Sequence, residues 1–395
     1  MKQYNEIKIG KIGQKKDNKI DYERIDSNLI NLENKNLLDA FTKVSILTLL
    51  AGYKKCDYIF VDDKFNENID LKKLSRYLSY VLNHKELAPR KFNLRITDKE
   101  NFISKIGIPK KNNYDGILSF SGGIDSTAGL LNSLDKRQCI QPLWISFGQR
   151  NDRAELDVVK RVLAKLKIKP LMVRMDIKEY ILKGWKDWDY IIPGRNFLFV
   201  SFANAILKNS VKSENFIYLC AHKDEMKHRR NTDKSKYFFT KASDFFSLDS
   251  GKRIIATTPF ANISKTEILS YWRKHWIRKY KISPHDTTTC YYGRGCGKCE
   301  VCLKRTISLL ASGFDVDPFI KIHPMKDPSG FIVNKWIPQI QSEKFTRIKK
   351  LDFLIAVEKC LDIVPREVRS FYNNLSPQTL LAIEKRKIEI ENAEI

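Results

Sequence analysis

Residues 121–127 bring two glycines, three hydroxyl side chains and one carboxylate into a single short turn: Ser121, Gly122, Gly123, Ile124, Asp125, Ser126 and Thr127. Apolar residues 117–120 predict a buried strand before the turn, and the spacing in 128–134 predicts a helix after it. Paired glycines let backbone N–H groups approach a phosphate, and a helix N-terminus adds free donors and partial positive charge. Asp125 can hold a backbone turn or Mg²⁺. The segment predicts a nucleotide-phosphate site, with an ordinary tight turn as the alternative.

Four of the eight cysteines are clustered in one short segment: Cys290, Cys296, Cys299 and Cys302. In a chain expected to be cytosolic, two Cys-x-x-Cys steps favour a metal over disulfides. Four thiolates satisfy tetrahedral Zn²⁺ and leave no ligand position open, so we expect a structural zinc site. Four reduced thiols in a loop are the alternative. The other cysteines (56, 139, 220 and 360) are expected to be free and mostly buried.

Two further polar pairs are candidate ligand contacts. Gly194 precedes Arg195 and Asn196, and an arginine can bind a phosphate or a carboxylate with two hydrogen bonds. Pairing of Arg195 with a local acid is the alternative. Gln149 and Arg150 lie just past the end of a predicted strand, where ligand-binding loops concentrate. A solvated surface loop is the alternative there.

Short apolar strands alternate with helical segments between about residues 114 and 312. The predicted strands are 117–120, 142–147, 171–175 and 216–220, and the main predicted helices between them are 155–166 and 197–207. This alternation predicts an α/β fold, a doubly wound parallel sheet whose ligand lies at the carboxyl ends of the strands.

Both flanks have different patterns and predict separate domains, 1–113 and 313–395. The first mixes strand-like pieces (7–9, 58–61, 92–96) with two helices, so it reads as an α+β extension, and a polar, proline-marked linker at 108–113 ends it. The second is helical. An amphipathic helix is predicted at 351–361, and Ser376 and Pro377 predict the cap and first residue of a later helix.

The chain has 71 Lys and Arg against 46 Asp and Glu, a formal charge of +25, which invites a nucleic-acid partner. The basic runs are short and scattered, however, which favours a compositional bias over a selected patch. Nucleic acid is therefore a possible but not a favoured partner. No apolar run approaches a membrane span and no signal-peptide core follows the N-terminus, so we expect a cytoplasmic protein without a membrane partner.

Further short motifs follow the glycine turn: Phe147-Gly148-Gln149-Arg150, Pro193-Gly194-Arg195-Asn196, Thr258-Pro259-Phe260, Ser264-Lys265-Thr266-Glu267 and the cysteine segment ending Lys304-Arg305. The Ser-Gly-Gly-x-Asp-Ser turn resembles the PP-loop of ATP pyrophosphatases. The order and spacing of all the motifs resemble the QueC-type 7-cyano-7-deazaguanine synthase family over residues 114–312. Arg305 can contact either substrate or a backbone carbonyl near the zinc.

The resemblance implies ATP and Mg²⁺ at residues 121–127, with the Lys265 ammonium on the phosphates. A solvated lysine in the first turn of a helix is the alternative, because Ser264 and Glu267 also have capping-box spacing. We take Asp125, Lys265 and Arg195 as the candidate catalytic residues. In the family, 7-carboxy-7-deazaguanine is adenylated by ATP, ammonia gives the amide, and a second ATP dehydrates the amide to the nitrile.

The acceptor side departs from the family pattern. Ser146, Phe147 and Asn151 replace the usual aspartate, tyrosine and histidine, and in 228–236 only Asp233 can correspond to the family's substrate-lining segment. With the added flanks, the chain resembles the enlarged QueC-like proteins of bacterial anti-phage systems, the Qat and type IV CBASS kinds.

That second resemblance implies transfer of the activated deazaguanine to an amine on a partner protein, which is our leading hypothesis. Free nitrile synthesis is the second, and a tRNA-modifying PP-loop enzyme and a non-catalytic scaffold are the remaining ones. A homodimer is a further possible assembly.

Overall fold

The computed structural model describes residues 8–16, 19–26, 39–54, 58–61, 68–81, 93–96, 111–149, 151–175, 194–226, 232–290, 292–293 and 295–395. Several predicted features lie outside these residues: the strand starts at Ile7 and Phe92, the first half of the linker 108–113, Cys56 and the candidate ligand Arg150.

The first part of the chain forms a four-stranded sheet and two helices. The strands are β1 (Lys8–Lys16), β2 (Lys19–Asp26), β3 (Tyr58–Val61) and β4 (Asn93–Ile96), and the helices are α1 (Ala40–Lys54) and α2 (Leu71–Val81). The sheet order is β2-β1-β3-β4, with β1 antiparallel to β2 and β3, and β3 parallel to β4. The apolar pattern did not predict β2, because charged residues interrupt the alternation of apolar residues there.

The helices of this N-terminal sheet pack against the central part of the protein. Residues 40–50 of α1 are all buried, and they share one hydrophobic core with the central sheet. Two polar contacts also join the N-terminal part to the central part. Lys208 Nζ lies 2.6 Å from Asp39 Oδ2, and the Tyr77 hydroxyl donates to the Phe238 carbonyl over 3.2 Å. The N-terminal extension therefore covers one face of the central sheet.

The central sheet has five strands, all parallel: β5 (Gly116–Ser119), β6 (Ile140–Ser146), β7 (Leu171–Arg174), β8 (Glu214–Tyr218) and β9 (Arg253–Thr257). Its order, β7-β6-β5-β8-β9, confirms the predicted doubly wound sheet. The chain runs outward from β5 to one edge and returns to build the other. A crevice is expected where the direction reverses, between β5 and β8.

Helices cover both faces of this sheet: α3 (Ile124–Asp135), α4 (Asp152–Lys165), α5 (Arg195–Leu207), α6 (Lys236–Ser250) and α7 (Lys265–Tyr271). Helix α7 continues through a wider turn at Trp272–Trp276 into Ile277–Tyr280. The two tryptophans of this wider turn, Trp272 and Trp276, are fully buried. They belong to a second hydrophobic core, which also contains residues of α3 and α4. The apolar spacing predicted α3, α4 and α5, but it did not predict α6 or β9.

The C-terminal part is helical, as predicted. After α8 (Glu300–Ala311), this part contains α9 (Arg347–Glu358), α10 (Arg366–Asn373) and α11 (Pro377–Glu391). The Ser376 hydroxyl accepts the Thr379 N–H and Pro377 is the first helical residue, so the predicted cap is confirmed. Residues 351–357 are all buried, so α9 is a core helix on every side. The predicted amphipathic character of 351–361, which requires an exposed face, is therefore wrong. Within the described ranges, no helix is long and apolar enough to cross a bilayer.

Helix α3 leaves no room for a side chain at Gly129. A Cβ there would lie 2.2 Å from Cys220 Sγ and 3.2 Å from Leu118 Cδ1. We expect Gly129→Ala to lower the free energy of unfolding by about 1–3 kcal/mol through overpacking, although alanine favours a helix. Adding Cys220→Ala removes the clashing sulfur and should restore most of that loss. Urea unfolding of the two single variants and the double variant measures this coupling, and additive losses would contradict the packing.

Candidate nucleotide site and metal centre

The glycine turn forms the link from β5 into α3. Gly122 has φ +70°, and a Cβ there would lie 2.9 Å from Val158 Cγ1, so glycine is needed for both backbone and space. Gly123 is the N-cap of α3 and has no side chain with which to cap the first turn. The Ser126 hydroxyl donates to the Gly123 carbonyl over 3.2 Å. The uncapped amides at the start of α3 are suited to an anion.

Lys265 reaches this turn from the other side of β8. Its Nζ lies 2.9 Å from Asp125 Oδ2, and the two side chains are 24% and 23% exposed. Asp125 Oδ1, Thr127 Oγ1 and Thr289 Oγ1 are buried and have no hydrogen-bond partner among the residues that the structure describes. The arrangement offers an ammonium and hydroxyls for phosphate oxygens. The unpartnered carboxylate oxygen fits a hard cation such as Mg²⁺.

The first turn of α7 positions Lys265. Ser264 is the N-cap, its hydroxyl accepts the Glu267 N–H over 3.3 Å, and Glu267 Oε2 accepts the Ser264 N–H over 2.8 Å. This is the capping box that the sequence predicts. Upstream, the Thr258 hydroxyl donates to the Ala221 carbonyl over 2.5 Å, which joins the segment after β9 to the segment after β8. Lys265 is therefore the first residue of a helix with a fixed start.

Arg195 and Asn196 start helix α5, and Gly194, the N-cap, has φ +76°. The buried Asn196 holds the segment of Asp233, because its side-chain amide donates to the Asp233 carbonyl over 3.2 Å. Its backbone N–H also binds the Asp233 carboxylate. Arg195 makes no hydrogen bond or ion pair with any described residue, although its charge acts on both Glu155 and Asp233. Arg195 is thus near enough to two carboxylates for its charge to act on both, without a direct partner among these residues.

Three polar residues near this site were not singled out from the sequence: His222, Glu225 and Lys234. Lys234 Nζ lies 2.7 Å from Glu225 Oε1, and His222 Nε2 lies 3.9 Å from Glu225 Oε2. Burial lowers the pKa of His222, so it is neutral at pH 7. The available signal for His222 and Glu225 was the polar run 222–225, which begins four residues after the end of β8, at the same edge of the sheet as the glycine turn.

Asp152 fixes the loop after β6. Its Oδ2 accepts the Gly148 N–H over 2.9 Å, the Gln149 N–H over 3.1 Å and the Ser146 hydroxyl over 2.5 Å. The Gln149 side chain has no hydrogen bond to a described residue, whereas Arg150 lies outside the described residues. The backbone of this loop is therefore held in place while the Gln149 amide is left for other partners.

The four clustered cysteines converge as predicted. Their Sγ atoms all lie within 4.8 Å of one another. Tetrahedral Zn²⁺ with Zn–S bonds of about 2.3 Å separates its sulfurs by about 3.8 Å, so this set fits zinc. Backbone N–H groups point at the sulfurs, among them those of Cys296 to Cys290 Sγ and of Cys299 to Cys296 Sγ. Gly297 is required in this turn, because a Cβ would lie 1.9 Å from the Ile322 carbonyl oxygen.

The remaining cysteines are only partly as predicted. Cys360 is buried and Cys220 is half-buried, but Cys139 is exposed. It lies in the turn between α3 and β6, where the chain passes over the surface.

Arg305 connects the metal centre to the glycine turn. It is buried on α8, three residues after Cys302, and its NH2 group donates to the carbonyls of Pro284 and Thr287 over 2.7 and 3.2 Å. The next residue, Thr288, donates its N–H to the Gly122 carbonyl over 3.1 Å. Of the two roles open for Arg305, the structure shows the backbone contact. The segment that follows the cysteine cluster therefore supports the glycine turn through Arg305 and Thr288.

We expect the purified protein to contain zinc and Cys299→Ser to lose it. Because zinc binding stabilises only the folded state, the variant should also unfold at a lower temperature. The matched control is Cys139→Ser, which changes an exposed thiol outside the cluster. Elemental analysis and thermal unfolding provide the measurements. Equal zinc content in the two variants, or no zinc in the wild-type protein, would exclude the site.

Glu155 should make stability depend on pH. Burial raises the pKa of its carboxyl from 4.5 to about 7, against the charge of Arg195 and a hydrogen bond from Trp144 Nε1. Between these values the folded state keeps a proton that the unfolded chain has lost. The free energy of unfolding therefore falls as pH rises, by roughly 3 kcal/mol at most from this group.

Glu155→Gln removes this titration, so its stability should fall less than that of the wild type across the same pH window. Urea unfolding at the two ends of the window gives the difference. Parallel losses in both proteins would show that Glu155 titrates normally.

Comparison with known proteins identifies the central part of the chain. A family model described as "Queuosine biosynthesis protein QueC" matches residues 115–313. Two proteins named 7-cyano-7-deazaguanine synthase, from Leptospira interrogans serovar copenhageni (strain Fiocruz L1-130) and serovar Lai (strain 56601), are each 28% identical over 231 residues. The match covers 53% of this chain and 90% of each relative. The chain belongs to the QueC family.

Proposed function

We propose that this protein is an ATP-dependent enzyme that adenylates a 7-deazaguanine carboxylate and then transfers the acyl group to an amine. The observation that carries the proposal is the contact between Lys265 and Asp125, 2.9 Å apart, at the uncapped start of α3. Family membership supports the ATP chemistry, because relatives over the same region are named 7-cyano-7-deazaguanine synthase. The cytoplasm supplies ATP and is the proposed location.

In the first step a carboxylate oxygen of the substrate attacks the α-phosphorus of ATP. The bond from that phosphorus to the bridging oxygen breaks, and pyrophosphate leaves with the electron pair. The amides that start α3, the Ser126 and Thr127 hydroxyls and the Lys265 ammonium would stabilise the negative charge of the leaving group. Asp125 Oδ1 would hold Mg²⁺, which supplies charge neutralisation on the phosphates.

In the second step the amine nitrogen attacks the acyl carbon, and AMP leaves with the former carboxylate oxygen. The amine loses its proton to solvent or to a nearby base. Asp233 and Arg195 are the proposed substrate-side residues, since the charge of Arg195 acts on Glu155 and Asp233 and its side chain has no direct partner among the described residues. An arginine in this setting can bind a carboxylate with two hydrogen bonds.

We further propose that the amine belongs to a partner protein and that the reaction serves anti-phage defence. The support is the departure of the acceptor side from the family pattern, with Lys234 paired to Glu225 directly after Asp233. Residues before 115 and after 313 lie outside the family match and supply surface for a partner. Synthesis of the free nitrile from ammonia is the alternative outcome.

The test is to incubate the protein with Mg-ATP, 7-carboxy-7-deazaguanine and ammonium and to follow AMP by mass spectrometry. AMP should form only when the acid is present. We expect Lys265→Ala to lower kcat/KM for ATP by about 100-fold or more, because it removes a cation from the developing charge. Lys274→Ala is the matched control, since Lys274 pairs with Glu391 at the surface. No AMP with any deazaguanine acid would refute the activity.

The acceptor is tested in the same reaction with proteins encoded beside this one. A mass increase on such a protein, with little nitrile, supports transfer to a partner. Free nitrile as the main product, with no protein adduct, would replace that proposal by the synthase activity.

A further inference from the structure

We propose that Arg386, on helix α11, is a positioning residue for Lys265 and hence for ATP binding. The inference rests on the proposed function, since it assigns the C-terminal extension a role at the same site. It names a residue outside the family match, which ends at residue 313.

Arg386 is only 1% exposed and lies on α11. Its Nε donates to Asp352 Oδ1 over 2.9 Å and its NH2 group donates to Ser264 Oγ over 2.8 Å. Its NH1 group donates to Glu267 Oε1. The guanidinium thus binds both halves of the capping box at the start of α7, the N-cap hydroxyl and the third-residue carboxylate.

Asp352, on α9, completes the connection. Its Oδ2 accepts the Thr266 hydroxyl over 2.6 Å, and its other oxygen is held by Arg386. The extension therefore contacts Ser264, Thr266 and Glu267, the residues on both sides of Lys265. Lys265 itself makes no such contact, because its side chain points to Asp125, 2.9 Å away.

This placement has a direct consequence for the ammonium of Lys265. The start of α7 has one cap hydroxyl and one cap carboxylate, and Arg386 uses both of them. Planar guanidinium with several donors holds such a pair in a fixed geometry, which lysine cannot do. A shift of about 1 Å in a charged group can cost about 100-fold in rate, so the orientation of this turn matters for phosphate binding.

The test compares Arg386→Met and Arg386→Lys with Lys387→Met as the matched control. Lys387 is the neighbouring residue on α11 and pairs with Glu358 and Glu384, not with α7. We expect Arg386→Met to lower kcat/KM for ATP by about tenfold or more, mainly through KM, and Arg386→Lys to recover little of it. Lys387→Met should stay within about twofold.

A double-mutant cycle separates positioning from general destabilisation. If Arg386 acts through Lys265, the loss in ATP binding caused by Arg386→Met should nearly disappear in the Lys265→Ala background. ATP binding is measured directly by calorimetry with Mg-ATP, so the cycle works with variants of low turnover. An equal fold-loss in both backgrounds would overturn the proposal, as would unchanged ATP binding in Arg386→Met.

Thr266→Val carries the test if Arg386→Met does not fold. It removes the hydroxyl that donates to Asp352 and keeps the shape of the buried side chain. We expect Thr266→Val to lower the affinity for ATP less than Arg386→Met would, and to have no effect in the Lys265→Ala background. That result supports the proposal, and an unchanged ATP affinity in Thr266→Val overturns it. Wild-type protein that binds no ATP would refute the proposed function itself, whereas wild-type binding with unaffected variants refutes only the role of Arg386.

Discussion

The contact between Lys265 and Asp125 is the constraint on which the rest of the structure depends. The two side chains follow β9 and β5, which are separated in the sheet by β8. They can meet only because all these strands are parallel, so their carboxyl ends lie at one edge. An ammonium, a carboxylate and an uncapped helix start then face the same space, which is the charge pattern that a nucleotide triphosphate with a divalent cation requires.

Each half of this contact is supported from behind by a buried arginine. Arg305 binds the turn that leads to Thr288, and Thr288 holds the Gly122 carbonyl. Arg386 binds the cap of the helix that carries Lys265. Both arginines come from segments that follow the sheet in the chain, one next to the metal centre and one in the C-terminal extension. Both halves of the candidate phosphate site are therefore held by segments that follow the sheet in the chain.

The sequence was sufficient where the physical cause is local. A glycine pair with hydroxyls after a strand, two Cys-x-x-Cys steps and a Ser-x-x-Glu cap each act within a few residues, so the glycine turn, the cysteine cluster and the start of α7 could be predicted. The pairing of Arg386 with Glu267 joins residues 119 positions apart and has no local signal. Likewise the apolar alternation of β2 is interrupted by charged residues and β9 has only five residues, so periodicity alone did not detect these two strands.

The part of the candidate site around Arg195 and Asp233 is more charged than the part around the glycine turn, and its charges are less completely paired with one another. Glu225 and Lys234 form one ion pair, whereas the charge of Arg195 acts on Glu155 and Asp233 without a direct partner among the described residues. A buried ion pair adds little net stability once desolvation is counted, so stability alone does not account for this concentration of charge. The raised pKa of both Glu155 and Asp233 shows the cost of holding carboxylates there. A polar ligand that hydrogen-bonds to these carboxylates and to Arg195 would offset that cost, and the proposed 7-deazaguanine carboxylate has both the ring donors and the carboxylate to do so.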